Sequence, residues 1–379
     1  MPDKSIGLIH CVDSLTPNSG VTPVIYESLL RRKQEGLHSC CVYFTGSTPA
    51  NVPAEIEGLV RAIPRPRAPW KQLSMFRENI LELADAFAHD GKSVMIHDHG
   101  MWLPSNVASS QAAKALGCPY VVSPHGMLQP AAIANTGIKK IFAWFTYEKH
   151  RMNGATLIHA ASTLEASAIR HKVPNARIAT IPFGVVVPSF AAPPPQGARK
   201  KEVLYLGRIH PLKGIDLLVQ AWKEAALPGW KLRLVGPCDE PYQVHLANLI
   251  RSLDLGSSIE LEGARYGDDK SAILCQSSIF ILPSYSENFG VAVGEALAHQ
   301  LPVIATDKTP WTDIPLFGCG WVTTPNVAHI GQTLRSAMMT PADELARMGS
   351  LGSTWIKERF DPATLTHKMN DCYLELCRE

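Results

Sequence analysis

The 379-residue chain has no long hydrophobic run: no apolar stretch reaches the roughly 18 residues that a membrane span needs, so a membrane-crossing segment is not expected. Its opening, MPDKSIGLIHCVDS, lacks the charged-then-apolar-then-small plan of a secretory signal, which predicts a cytoplasmic location. The nine cysteines contain no C-x-x-C pair, arguing against a zinc or disulfide framework. They are expected to be reduced and mostly buried in strands, as Cys40 and Cys41 in SCCVYFT would be. Neither a G-x-x-x-x-G-K-[ST] loop nor a G-x-G-x-x-G after the first strand occurs, which disfavours ATP hydrolysis and dehydrogenase chemistry. Charge is sparse and balanced, with 18% charged residues and a formal net charge of +2, so nothing marks a nucleic-acid partner or a disordered chain.

What remains is a folding pattern. The length exceeds what one hydrophobic core sustains, so two domains are expected. Short β-branched runs alternate with helical periodicity, the mark of parallel sheets with crossover helices. The predicted strands are Ile6–Val12, Cys40–Thr45, Val94–His97, Tyr120–Ser123, Thr156–Ala160 and Ile178–Phe183, then Val203–Leu206, Leu232–Val235, Ile259–Leu261, Ile279–Leu282 and Val303–Ala305. Between the two sets, Pro188–Lys201 is rich in proline, small residues and cations and reads as a linker. An α/β architecture follows: two Rossmann-like doubly wound domains facing a cleft, 1–190 and 198–361, with a helix over 362–379 packing back on the N-terminal domain. Open α/β sheets bind ligands at the carboxyl ends of their strands, so motifs at strand ends should line that cleft.

Two motifs of the second half carry chemistry. In Y-L-G-R-I-H-P-L-K-G, a strand ends at Gly207, its loop offers Arg208 and Lys213, and Gly214 leads into a helix. Two cations beside a helix N-terminus suit a diphosphate that gains charge on departure. In S-Y-S-E-N-F-G-V-A-V-G-E, a strand runs into a loop with Glu287 and Asn288, and Phe289 and Gly290 open a helix with Glu295 about two turns further in. Paired carboxylates there accept hydrogen bonds from a polyol without a metal. Taken singly, such a glutamate is a solvated helix face and such a G-R or K-G pair is ordinary loop chemistry.

With these residues in this order the chain resembles glycosyltransferase family 4, retaining sugar-nucleotide transferases of GT-B fold. The likeness rests on G-R-I-x-P-x-K-G at Gly207–Gly214 and on the E-x7-E spacing of Glu287 and Glu295, with N-F-G and P-V-I-A-T alongside. It implies that Arg208 and Lys213 bind the donor diphosphate, Glu287 the donor sugar and Glu295 the ribose, with Asn288, Phe289 and Gly290 in the same pocket. The implied reaction is transfer of a hexose, with retention, from a UDP or GDP sugar to a saccharide or lipid-linked acceptor, with no resident cofactor or metal. The nucleotide diphosphate would depart on the same face that the acceptor hydroxyl enters. T-P-W-T-D-I at Thr309–Ile314, expected as a loop lining the cleft, resembles a variant of bacterial surface-polysaccharide transferases. An epimerase or phosphorylase of the same architecture, and a noncatalytic sugar-nucleotide-binding subunit, are the alternatives.

In the first half, P-N-S-G at Pro17–Gly20 resembles the family's glycine-rich loop near the donor phosphates, with Gly20 the residue that admits close backbone approach. His97 and His99 in H-D-H-G-M-W share a strand face, and S-P-H-G-M on the next strand would bring His125 near them. A zinc site with Asp98 and a sugar site are both open. The resemblance implies the sugar site: His125 beside the transferred sugar, and His99 and Gly100 near acceptor or donor. His10 and His159, inside apolar runs, read as core histidines. Arg61, Arg65, Arg67, Lys71 and Arg77 fall in an acid-free stretch with Trp70 that suits anionic lipid headgroups or a solvated loop equally. The same applies to Lys139, Lys140 and the run Phe142–Phe145, and peripheral contact with the inner membrane face is the partner this suggests.

Overall fold

The computed structural model describes residues 6–16, 20–46, 52–134, 138–188 and 199–378. Most of the expected linker, residues 189–198, and Pro17–Ser19 of the P-N-S-G loop lie outside the described residues. The chain forms two compact units, Met1–Gly184 with Pro362–Glu379, and Val185–Asp361.

The first unit holds a seven-stranded sheet in the order β3-β2-β1-β4-β5-β6-β7 among the described residues. Its strands are β1 Ile6–Val12, β2 His38–Phe44, β3 Val60–Ile63, β4 Ser93–His99, β5 Tyr120–Ser123, β6 Leu157–Ala160 and β7 Ile178–Thr180. The second unit holds β8 Glu202–Leu206, β9 Lys231–Val235, β10 Ile259–Glu262, β11 Ile279–Leu282, β12 Val303–Thr306 and β13 Gly320–Thr323. Their order is β10-β9-β8-β11-β12-β13. Every pairing is parallel. Both are Rossmann-like doubly wound sheets, reversing direction between β1 and β4 and between β8 and β11, where such folds place their ligands.

Central strands are apolar throughout because helices cover both faces: all seven residues of β1 are buried, as are all four of β11 and of β12. Helix Pro69–His89, with proline in its first turn, buries Phe76, Ile80 and Ala84 at four-residue steps. Its Phe87 ring packs so closely on β1 that a Cβ at Gly7 would lie 2.4 Å from Phe87 Cγ. The closing helix Pro362–Arg378 buries Tyr373 and Leu376 against Ile6, Leu8, Met95, Val121 and Leu157 of the first unit, and its Asn370 accepts a hydrogen bond from Arg32.

The strand centres agree with the sequence expectation, but β3 and β13 were not anticipated. Both are four-residue edge strands, half exposed, and V-R-A-I and G-W-V-T carry too little apolar periodicity to stand out. The cysteine expectation needs correction. All nine thiols are free, yet only Cys11, Cys40 and Cys41 are buried strand residues; Cys319 is buried just before β13, and Cys118, Cys238, Cys275, Cys372 and Cys377 are half-buried outside strands. Distant acids also meet part of the acid-free basic stretch: Arg61 pairs with Glu82 at 2.9 Å and Arg65 with Asp13 at 2.7 Å, with Arg65 over the Phe44 ring.

Candidate functional site

In the second unit the loops after β8, β11 and β12 are tied together before any ligand arrives. Tyr205, buried in β8, donates its hydroxyl to the Arg208 carbonyl at 2.7 Å. The Tyr285 amide donates to the Leu212 carbonyl at 3.1 Å, the Glu287 amide to that of Lys308 at 3.3 Å, and the Thr306 hydroxyl to that of Ser284 at 2.6 Å. Gly214 is where the first two loops touch: its φ is +67° and a Cβ there would lie 2.3 Å from the Pro283 carbonyl oxygen, so no other residue fits without moving the backbone.

Lys213 Nζ stands 2.5 Å from Glu287 Oε1, and the Ser284 hydroxyl donates to the same oxygen at 2.9 Å. Glu287 is only 9% exposed and Lys213 23%, so this pair is mostly shielded from solvent. Arg208 is exposed and makes no ion pair among the described residues. Gly290, at φ +76°, starts helix Val291–Ala298, and Glu295 sits in its second turn, nearer the N-terminus than the two turns expected from Glu287. Glu295 pairs with Lys270 at 2.6 Å, a cation the sequence reading missed because nothing around it in G-D-D-K marks a ligand group.

Asn288 is half exposed beside Glu287, but Phe289 turns its ring into an aromatic core with Trp311 and Phe360, at centroid distances of 5.2 and 5.8 Å. Only its backbone is left for a ligand, and its carbonyl already accepts from Trp311 Nε1 at 2.5 Å. Thr309–Ile314 is therefore no simple surface loop. Thr309, Trp311 and Ile314 are buried, and Trp311 braces Phe289 and Gly290, with Thr312 and Asp313 alone exposed.

In the first unit Gly20 precedes helix Val21–Gln34 in a right-handed conformation, with open space where a Cβ would stand. His10 and His97 face each other in register on β1 and β4, as do Val12 and His99. His99 stacks on His97 at 4.2 Å between centroids and on His125 at 5.2 Å, so the expected cluster forms. His125 has φ +53° and Trp102, in the loop after β4, φ +79°, costly backbone for L-residues that the surroundings must enforce. Glu165 does part of this: its two carboxylate oxygens accept from the Gly126 amide at 2.6 Å and the Ala161 amide at 2.7 Å. The S-T-L-E pattern that begins its helix is a capping signature and could have flagged it.

Asp98 points to the opposite face, as strand alternation requires, and pairs with buried Arg151 at 2.7 Å. Arg151 also holds Glu148 at 2.9 Å and the Gly100 carbonyl at 3.1 Å, so this network fixes the loop after β4 from beneath. The zinc reading with Asp98 as a ligand fails on that geometry. His10, His97 and His99 do bring ring nitrogens within 4.8 Å of one another, yet those nitrogens are already engaged with each other, Ser28, Tyr373 and Ser123. His10 and His159 are accordingly members of the polar cluster and not isolated core histidines. Burial holds all five imidazoles neutral: His10 and His125 are pushed down to about 3, His159 to about 4, and His97 and His99 well below the usual range.

Residues 190–352 match the family described as Glycosyl transferases group 1, and residues 19–184 the Glycosyl transferase 4-like domain. The two halves of the chain thus carry glycosyltransferase domains of these two families. A D-inositol 3-phosphate glycosyltransferase of Catenulispora acidiphila is 29% identical over 261 residues, 62% of this chain and 59% of that protein. A putative colanic acid biosynthesis glycosyltransferase, WcaL of Escherichia coli, is 24% identical over 207 residues, 52% of this chain and 50% of that protein. The first curated relatives are spanned over 31%, 59% and 58% of their length. Among solved structures, sucrose-phosphate synthase from Thermosynechococcus elongatus superposes with a TM-score of 0.77 at 20% identity, covering 98% of this chain and 99% of that one. Anabaena HepE in complex with UDP-glucose gives 0.78 at 17% identity, covering 97% and 99%. These likenesses establish the GT-B glycosyltransferase fold of the chain.

Proposed function

We propose that this glycosyltransferase moves a hexose, with retention, from a nucleoside-diphosphate sugar to a saccharide or lipid-linked saccharide. The observation that carries the reading is the Lys213–Glu287 pair at the switch point of the second sheet, with Arg208 exposed on the same loop. A diphosphate competes with Glu287 for the Lys213 ammonium. Exchange of partner would hand the cation to the leaving group and release the carboxylate to a sugar hydroxyl, so one binding event prepares both ends of the donor. Arg208 and the amides at the start of the helix after Gly290 add to the stabilisation of the departing charge. His125 positions the sugar or the incoming hydroxyl, near His99 and Gly100, while Glu295 and Gly20 bind the ribose and the phosphates.

UDP is favoured as the nucleotide, because HepE, of the same fold, is described with UDP and UDP-glucose. Thermal unfolding with UDP-, GDP- and ADP-sugars tests this: a rise with one nucleotide series is expected, since binding to the native state stabilises it. Incubation with an acceptor panel follows. Sugar-nucleotide conversion without acceptor would favour an epimerase, dependence on inorganic phosphate a phosphorylase, and binding without turnover a noncatalytic subunit.

Contact with an anionic membrane surface belongs to the same reading. Phe142 and Phe145 are 71% and 73% exposed beside exposed Lys139, Lys140 and Lys149, and the one acid of that segment, Glu148, is buried on Arg151. No helix among the described residues is long and apolar enough to cross a membrane. Sedimentation with anionic vesicles, lost in Phe142→Ser with Phe145→Ser, is the expected outcome; equal binding by that variant would reject the contact.

A further inference from the structure

Two strings of hydrogen bonds run through the histidine cluster, and they differ in one respect. In the first, His159 Nε2 lies 2.8 Å from the Ile181 carbonyl, which can only accept. His159 therefore carries its proton on Nε2, and its Nδ1 accepts from the Ser123 hydroxyl at 2.8 Å. Ser123 then accepts from His97 Nε2 at 2.7 Å, and His97 Nδ1 accepts from the Tyr373 hydroxyl at 2.7 Å. Reversal would set a lone pair against the Ile181 oxygen, so this string has a single polarity.

The second string ends on a hydroxyl instead of a carbonyl. Ser28 Oγ is 3.3 Å from His10 Nε2, His10 Nδ1 is 2.9 Å from His99 Nε2, and His99 Nδ1 is 2.9 Å from His125 Nε2. His125 Nδ1 has no protein partner among the described residues, and His125 is half-buried. A serine hydroxyl donates or accepts equally well, so all three imidazoles can exchange tautomers without loss of a single bond and without charge on any ring.

We infer that Ser28, His10 and His99 form a reversible proton string that lets His125 Nδ1 present a lone pair to a hydroxyl or an N–H to an anionic oxygen of a bound ligand. Reversal moves one proton along the string. In one sense Ser28 takes up a proton from water, each ring passes one on from Nδ1, and His125 Nδ1 releases its own to the ligand or water; in the other sense His125 Nδ1 takes up a proton and Ser28 returns one to water. Ser28 and His10 are thus positioning residues that act on the ligand through His99 and His125. The inference rests on the sugar-nucleotide reading for the identity of that ligand, but the string itself is a property of the ligand-free chain. Burial keeps the rings neutral, which is what a tautomeric string needs.

Nitrogen-15 NMR of the ring nitrogens in the full ligand-free chain separates the two cases, because protonated and bare ring nitrogens differ widely in shift. His97 and His159 should each show one tautomer, with the proton on Nε2, while His10, His99 and His125 show a mixture. Ser28→Ala leaves one end of the string without a partner and should change the tautomer ratio at His125 by about tenfold, the effect of an orphaned buried polar group. Ser28→Thr should restore it. A single tautomer at His125 in the unaltered chain, or a ratio indifferent to Ser28→Ala, would overturn the inference. Neither result touches the transfer reading, whose failure would be no turnover with any sugar nucleotide while the tautomer spectra stay as described.

Discussion

Removing the ammonium of Lys213 should cost stability as well as activity, and the amount can be worked from the pair it forms. At 2.5 Å, two unit charges attract by about 7 kcal/mol at an effective dielectric constant of 20. Desolvation of a nearly buried carboxylate and a three-quarters buried ammonium takes back several kcal/mol of that. A net coupling of about 1 to 3 kcal/mol remains, above the value of an exposed pair and below that of a fully buried one. In Lys213→Ala the Glu287 carboxylate keeps the Ser284 hydroxyl but loses the Lys213 ammonium, so the single change should lower unfolding stability by about 2 kcal/mol. Glu287→Gln should cost a similar amount. The double variant should lose less than the sum, by the coupling energy. Urea unfolding of the four proteins measures the cycle. Strict additivity would show that the pair contributes nothing and would remove the partner-exchange step from the reading above.

Three further outcomes are expected. Arg208→Ala should leave the unfolding free energy in urea within about 0.5 kcal/mol of the parent, because the side chain is exposed and makes no ion pair among the described residues, yet weaken sugar-nucleotide binding at least tenfold by calorimetry; the reverse pattern would make it a structural residue. Gly214→Ala, forced to φ +67° with its Cβ 2.3 Å from the Pro283 oxygen, should destabilise by more than about 2 kcal/mol and abolish donor binding through the displaced loop, whereas unchanged melting would show the loop to be pliable. Acidification should destabilise the first unit: His10, His125 and His159 refuse protons until about pH 3 to 4, but the unfolded chain takes them up below about 6.5. Stability is then level above pH 6.5 and falls below it by up to about 1.4 kcal/mol per group per pH unit, less than the sum because the rings interact, so urea midpoints equal at pH 7 and pH 5 would refute the buried-neutral assignment.

The sequence alone determined what depends on neighbours along the chain. Apolar runs placed β1, β5 and β11 to the residue, and the turn chemistry of G-R-I-H-P-L-K-G and E-N-F-G placed those two loops at the ends of β8 and β11. Strand alternation put His97 and His99 on one face, and the next strand brought His125 beside them, as their stacking confirms. Short edge strands escaped, because half-exposed V-R-A-I and G-W-V-T have too weak a pattern to separate from loops.

Only the tertiary structure decided partners far apart in sequence. Lys213 meets Glu287 across 74 positions, Glu295 meets Lys270 across 25, and Asp98 meets Arg151 across 53. Glutamates that read as two open acceptors are each already matched to a cation, and the aspartate of the alternative zinc reading is a structural anion. His10 looked like a core residue until β1 and β4 paired in a register that set it opposite His97 and within hydrogen-bond reach of His99. Local periodicity states which face a side chain takes; strand order, register and loop closure state what it meets there, and these come from packing the whole domain.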